Sequence, residues 1–189
     1  LLYSHLQSGH VDDAARLLDD MRKDERQGSS ERTRSHLVNM RAAFVIDQQA
    51  WKDERAQFEV SLEKLDPGAA CAELYVRGRA ACAHGDFAKA RDALLAMASH
   101  RGAIEDLPAG GASAAQCCAP GPMSGYLPDR LAARVMELEL EGVIALAEGN
   151  RDEGLEQLAQ AAKREDAIAA DFGPPTVVEP ARRTSTKGT

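Results

Sequence analysis

At 189 residues, with 44% hydrophobic but only 4% aromatic side chains and a net charge of -7, the chain is long enough for one domain with a real core. Its apolar set is mostly Ala and Leu, which keep their rotamer freedom in a helix, and period-two runs of β-branched residues are absent; this excludes a sheet protein and predicts an all-α fold. The 30 acidic side chains outnumber 23 basic ones, and no apolar run approaches the ~20 residues that cross a bilayer, so neither a nucleic-acid nor a membrane partner is expected.

In chain order, Leu1 to Gly9 reads as a short helix, with a break at Gly9-His10 and a second helix from Val11. There Ala14, Leu17, Leu18 and Met21 recur at i, i+3, i+4 and i+7, and Asp12 and Asp13 suit the positive end of the helix dipole. The basic cluster Arg22, Lys23, Arg26, Arg32 and Arg34 is interleaved with Asp24, Glu25 and Glu31, the pattern of a mixed-charge helix surface. Gly28-Ser29-Ser30 stops one helix and starts a third, over about Ser30 to Gln48, with Leu37, Met40, Phe44 and Val45 as its apolar set. Trp51 is predicted to open a fourth helix carrying Phe58, Leu62 and Leu65, ended by Asp66-Pro67-Gly68. Ala70 to His84, a turn at Gly85-Asp86, and Phe87 to His100 make the third pair. Residues 102–128 turn to Gly, Ala, Ser and Pro and read as an insertion, with one short helical turn near Ala112 to Cys117. Asp129 is a candidate N-cap for a helix from Leu131 to Glu148; Gly149-Asn150 turns the chain into a last helix from Arg151 to about Ala170. Residues 172–189 read as a disordered tail.

The turn residues Gly9, Gln49, Gly85 and Gly149 mark equivalent points of a repeat of roughly 34 residues. Gly78 and Gly142 each stand seven residues before a turn glycine, and Ala14 and Ala90 five after one. Ala161, and less typically Met21 and Met97, are small or apolar residues near the repeat's end. Small side chains in these slots allow close helix contact. On these residues the chain resembles the tetratricopeptide repeat (TPR) family. It is similar in particular to bacterial multi-repeat proteins of unassigned function, through Leu1 to Gly9, Met40 to Asp47, and Glu165-Asp166 followed by Phe172-Gly173-Pro174-Pro175. It departs from the pattern at Gln49, at Glu54 where alanine is expected, and at Gly154. The resemblance implies a right-handed α-solenoid over residues 1–171. Its four antiparallel pairs are expected at about 1–26, 30–65, 70–101 and 129–171.

Catalytic signatures are absent: no phosphate-binding loop, no nucleophile elbow at Gly121 to Gly125, and no His pair at metal spacing within one helix. His84 and His100 read as helix ends. Cys71 and Cys82 read as buried filler, while Cys117 and Cys118 lie in the Gly/Ala/Pro-rich segment. The chain is therefore expected to be a non-enzymatic protein-interaction scaffold without cofactor or metal. In a solenoid the first helix of each pair lines the concave side. Counting from the turns places Tyr3, Gln7, His36, Asn39, Asp47, Tyr75, Arg79 and Glu139 there as partner-binding positions. The alternatives are an RNA-binding helical repeat of the pentatricopeptide kind, or a non-catalytic repeat region of a larger enzyme or regulator. Uncovered terminal helices predict self-association. The opening at Leu1, without an initiator Met, reads as a fragment. A cytoplasmic location is favoured, or a periplasmic one if a signal peptide precedes.

Overall fold

The computed structural model describes residues 1–28, 30–105 and 127–168. Among them are eight helices and no strand: α1 (Leu2–Gln7), α2 (Val11–Gly28), α3 (Glu31–Asp47), α4 (Glu54–Gln57), α5 (Pro67–His84), α6 (Phe87–Glu105), α7 (Leu127–Ala147) and α8 (Arg151–Glu165). The all-α expectation holds. Among the described residues, every helix packs only on helices one or two places along the chain. The hairpins α1/α2, α5/α6 and α7/α8 are joined by contacts of α1 with α3, α3 with α5, and α5 with α7.

The four turns share one geometry. Gly9, Gln49, Gly85 and Gly149 all have positive φ, at 74°, 52°, 77° and 90°. In each, the following residue donates its N–H to the carbonyl five places back: His10 to His5 at 2.9 Å, Ala50 to Val45 at 2.8 Å, Asp86 to Ala81 at 2.9 Å, and Asn150 to Ala145 at 2.8 Å. The turn residue's own N–H donates three places back, to Leu6, Ile46, Cys82 and Leu146. This paired arrangement satisfies the last carbonyls of a helix, and its left-handed residue favours glycine. A Cβ at Gly85 would meet nothing within 4 Å, so only the backbone conformation resists substitution there. Gly85→Ala is therefore expected to cost about 1 kcal/mol in urea unfolding, the left-handed penalty less the entropy removed from the unfolded chain.

Beyond the turns, the position five residues on decides whether the next helix docks. Ala14 and Ala90 are fully buried, and Gly154 is buried too. Glu54, the equivalent residue after Gln49, is exposed. A carboxylate at a helix crossing would lose its hydration without gaining a partner. The predicted fourth helix over residues 51–65 is accordingly not formed. Asp53 caps the single turn α4, accepting the Arg55 N–H at 2.8 Å, and the chain becomes extended at Phe58 (φ -74°, ψ 153°). Arg55 pins α4 to α2 through Asp19, with Nη2 to Oδ2 at 2.7 Å and Nε to Oδ1 at 3.1 Å.

Asp66-Pro67-Gly68, expected to end that helix, instead starts α5. The Asp66 carboxylate accepts the Ala69 N–H at 2.9 Å and the Ser35 hydroxyl at 2.8 Å, and Pro67 occupies the first turn, where its missing N–H costs nothing. The segment expected as an insertion over 102–128 is narrower, because α6 continues to Glu105 and α7 begins at Leu127. His100 consequently lies inside α6 rather than at its end. The rest of that segment, with Ala112 to Cys117 and Cys118, falls outside the described residues, as does the tail 172–189. The last helix is shorter than expected, ending at Glu165.

Helix crossings are set by missing side chains. A Cβ on Gly78 would lie 2.5 Å from Leu140 Cδ2, so α5 and α7 touch through that glycine. Gly142 and Gly154 face each other between α7 and α8, each with its would-be Cβ within 2.9 Å of the other's carbonyl oxygen. Ion pairs tie α6 to α7 and the turn that follows it: Arg101 to Glu137 at 2.6 Å, and Arg91 to Glu148, just past the end of α7, at 2.6 Å.

Candidate functional site

The structure divides the eight sequence-selected positions. Tyr3 and Gln7 are exposed on α1, on the flank beside buried Leu2 and Leu6, and His36 and Asn39 are exposed on α3. The two helices that carry these four exposed side chains pack against each other. Asp47 is half-buried at the end of α3. Tyr75, Arg79 and Glu139 do not face a groove. Tyr75 and Glu139 are fully buried, and Arg79 keeps 8% exposure. α5 is covered on nearly every side by α3, α4, α6 and α7, and Trp51 lies over it; the Arg79 guanidinium sits 4.6 Å from the Trp51 ring centre and donates to the Tyr75 hydroxyl at 3.0 Å. These two side chains pack the interior, where a partner cannot reach them. Glu139 lies in the buried stretch of α7.

A group not singled out from sequence occupies the α3/α5 junction. Arg41 and Glu73, both fully buried, pair at 2.6 Å. Arg41 also donates to the Phe58 carbonyl and lies 4.7 Å from the Phe58 ring centre, while Arg22 approaches that ring at 4.1 Å. Glu73 accepts the Val60 N–H at 3.0 Å and Arg77 Nε at 2.8 Å; Arg77 Nη2 donates to the Val60 carbonyl at 2.5 Å. Burial lowers the Arg41 guanidinium from its ordinary value, and the Glu73 charge opposes that shift. Outward of this, Glu59 accepts from Lys89 at 3.1 Å and pairs with Arg77 at 3.3 Å, and these cations, Lys89 first, hold its carboxyl below the usual range.

Function follows from what these charges hold. Residues 58–60 lie outside any helix, with Phe58 extended and Val60 buried, so their backbone groups have no helical partner. Arg41, Glu73 and Arg77 supply the missing donors and acceptors. The network is a clamp on an irregular segment, with its titratable groups engaged, and it offers no free nucleophile or base. A shallow cleft of about 130 Å³ beside it is lined by Glu59, Arg77, His84, Asp86 and Lys89, with Ala80 and Ala81 at its floor. Both signs of charge meet there and neutralise one another. Cys82 is no better placed for chemistry, since burial pushes its thiol up to about 11, far from a reactive thiolate.

Three further side chains have a spacing that fits no single-helix metal pattern. His5, His10 and Asp13 come together across the Gly9 turn, their coordinating atoms within 4.8 Å of one another. Their signal in the sequence is two histidines straddling a reversing glycine, a relation that spacing along one helix face does not carry. No helix among the described residues is long and apolar enough to cross a membrane. No family model, no curated protein and no solved structure matches this chain.

Proposed function

We propose that the chain is a TPR-like helical-repeat module, a solenoid segment that holds a protein or peptide partner and performs no catalysis. The observation that carries this is packing confined to chain neighbours. In a repeat array each unit rests only on the next, and the first helices of successive pairs form a continuous layer. The sequence α1 to α3 to α5 to α7 follows that scheme, and the four like turns supply the repeat. The second unit is the exception, its second helix replaced by α4 and the clamped extended segment.

With Tyr75, Arg79 and Glu139 buried, the partner surface is assigned to α1 and α3. Tyr3 offers an amphipathic ring, and Gln7, His36 and Asn39 offer both donors and acceptors, a set suited to an extended peptide. A chain carrying Tyr3→Ala, Gln7→Ala, His36→Ala and Asn39→Ala together is expected to keep its helical circular dichroism. Proteins captured by the unaltered chain should be lost from it in a quantitative pull-down. Equal capture by both would show that partners do not use this surface. Retention of RNA that declines steeply with salt would favour the pentatricopeptide-like alternative instead, because phosphate contacts release counterions.

A further inference from the structure

We propose that His5, His10 and Asp13 form a binding site for a divalent transition-metal ion of the zinc class at the α1/α2 turn. His5 lies in the last turn of α1, His10 follows the left-handed Gly9, and Asp13 sits in the first turn of α2. The turn fixes their relation: the His10 N–H donates to the His5 carbonyl at 2.9 Å, and the two imidazole rings stand 6.2 Å apart, tilted by 56°. Asp13 follows His10 by three residues, so one helical turn brings its carboxylate toward the same rings. Any two of the three coordinating atoms are within 4.8 Å of each other.

Ligand type selects the ion. Two imidazole nitrogens and one carboxylate oxygen suit Zn²⁺ and its borderline neighbours, whereas Ca²⁺ and Mg²⁺ prefer all-oxygen sets. Bonds of about 2.0–2.2 Å around a tetrahedral ion require the ligand atoms to close to roughly 3.5 Å. His10 is exposed and His5 and Asp13 are half-buried, so side-chain rotation can bring about that closure without moving the helices. Three protein ligands leave one position of a tetrahedral ion open to water or to a partner's side chain. Asp13 is held at present by Arg16, one turn further on, and the ion would compete for that carboxylate. Gly9 has a second role at this turn, since its φ of 74° turns α2 back beside α1 and so brings the two histidines to one side.

The test is calorimetric titration of the full chain with Zn²⁺. The expected result is one ion bound with an affinity that falls roughly tenfold or more in His5→Ala and in His10→Ala, since removing even an outer partner of a ligand costs 10–100-fold. His100→Ala, on a different helix, should leave the affinity unchanged. The same titration with Mg²⁺ should give no heat beyond dilution. Absence of Zn²⁺ binding, or binding of equal strength in the His5→Ala and His10→Ala chains, overturns the proposal. Such a result leaves the scaffold assignment intact, because neither histidine belongs to the partner surface formed by Tyr3, Gln7, His36 and Asn39.

Discussion

Glu73→Ala is expected to destabilise the chain by about 3–5 kcal/mol, a large share of the stability of a domain this size. The carboxylate is fully buried and faces two guanidinium groups and one backbone N–H. Its removal leaves the Arg41 charge in the interior without its counter-ion and leaves the Val60 N–H without an acceptor, and each is a separate penalty. Urea unfolding followed by helical circular dichroism measures the sum; a loss below about 1 kcal/mol would refute the clamp. A sharper outcome comes from replacing both partners, Arg41→Met with Glu73→Leu. Buried ion pairs can often be exchanged for apolar residues at little cost. In this chain that exchange should fail, since the Phe58 carbonyl and Val60 N–H depend on these very side chains. The double variant should stay well below the unaltered chain, and recovery to near-full stability would mean that the charges serve only each other.

That clamp explains why the region 51–65 could not be read from local preference. Its residues are good helix formers with an apolar set at Phe58, Leu62 and Leu65, and helix is the sensible local expectation. Tertiary context overrides it. Glu54 occupies the slot where Ala14, Ala90 and Gly154 make contact, and long-range partners at Arg41 and Glu73 stabilise the extended alternative. Signs of those partners were nevertheless present. Arg41 stands between Leu37 and Val45 at i+4 spacing on an apolar stripe, and Glu73 is a lone charge in Ala-Cys-Ala-Glu-Leu-Tyr-Val. A charge placed where the pattern demands an apolar residue points to a buried polar requirement nearby, though not to which backbone it meets.

The turns were legible for the opposite reason: their chemistry is local. A left-handed residue closing a helix is signalled by glycine, and even Gln49, which lacks glycine's freedom, adopts the same conformation, with the Ala50 N–H donated to the Val45 carbonyl as at the glycine turns. Exposure at the candidate partner positions was legible only by half. Counting along a helix gives the direction of a side chain, and Tyr3, Gln7, His36 and Asn39 are indeed exposed. It does not give what lies opposite. On α5 the facing space is filled by Trp51 and α7, and an Ala-rich helix with apolar residues all round is one that neighbours enclose.

The glycine crossings carry the second large effect, and they discriminate between kinds of close contact. In an ordinary helix Gly→Ala gains about 1 kcal/mol from propensity. At Gly142 the new methyl would stand 2.9 Å from the Gly154 carbonyl oxygen and 2.8 Å from Leu158 Cγ; at Gly154 it would stand 2.8 Å from the Gly142 oxygen. A backbone oxygen cannot rotate aside, so α7 and α8 must separate, and overpacking of this kind typically costs about 1–3 kcal/mol. Gly142→Ala and Gly154→Ala are each expected to lower stability despite the better propensity. The nearest atoms to a Gly78→Ala methyl are Cδ2, Cδ1 and Cγ of Leu140 rather than a backbone oxygen, so this change should cost less. The double variant Gly142→Ala with Gly154→Ala should cost less than the two losses added, because one separation of the helices accommodates both methyls. Since, among the described residues, α8 packs on α7 alone, hydrogen exchange should show the effect concentrated in α8, with α1 to α3 unchanged. Uniform loss of protection along the whole chain would instead mean that the units unfold as one, and that the neighbour-only packing does not govern their stability.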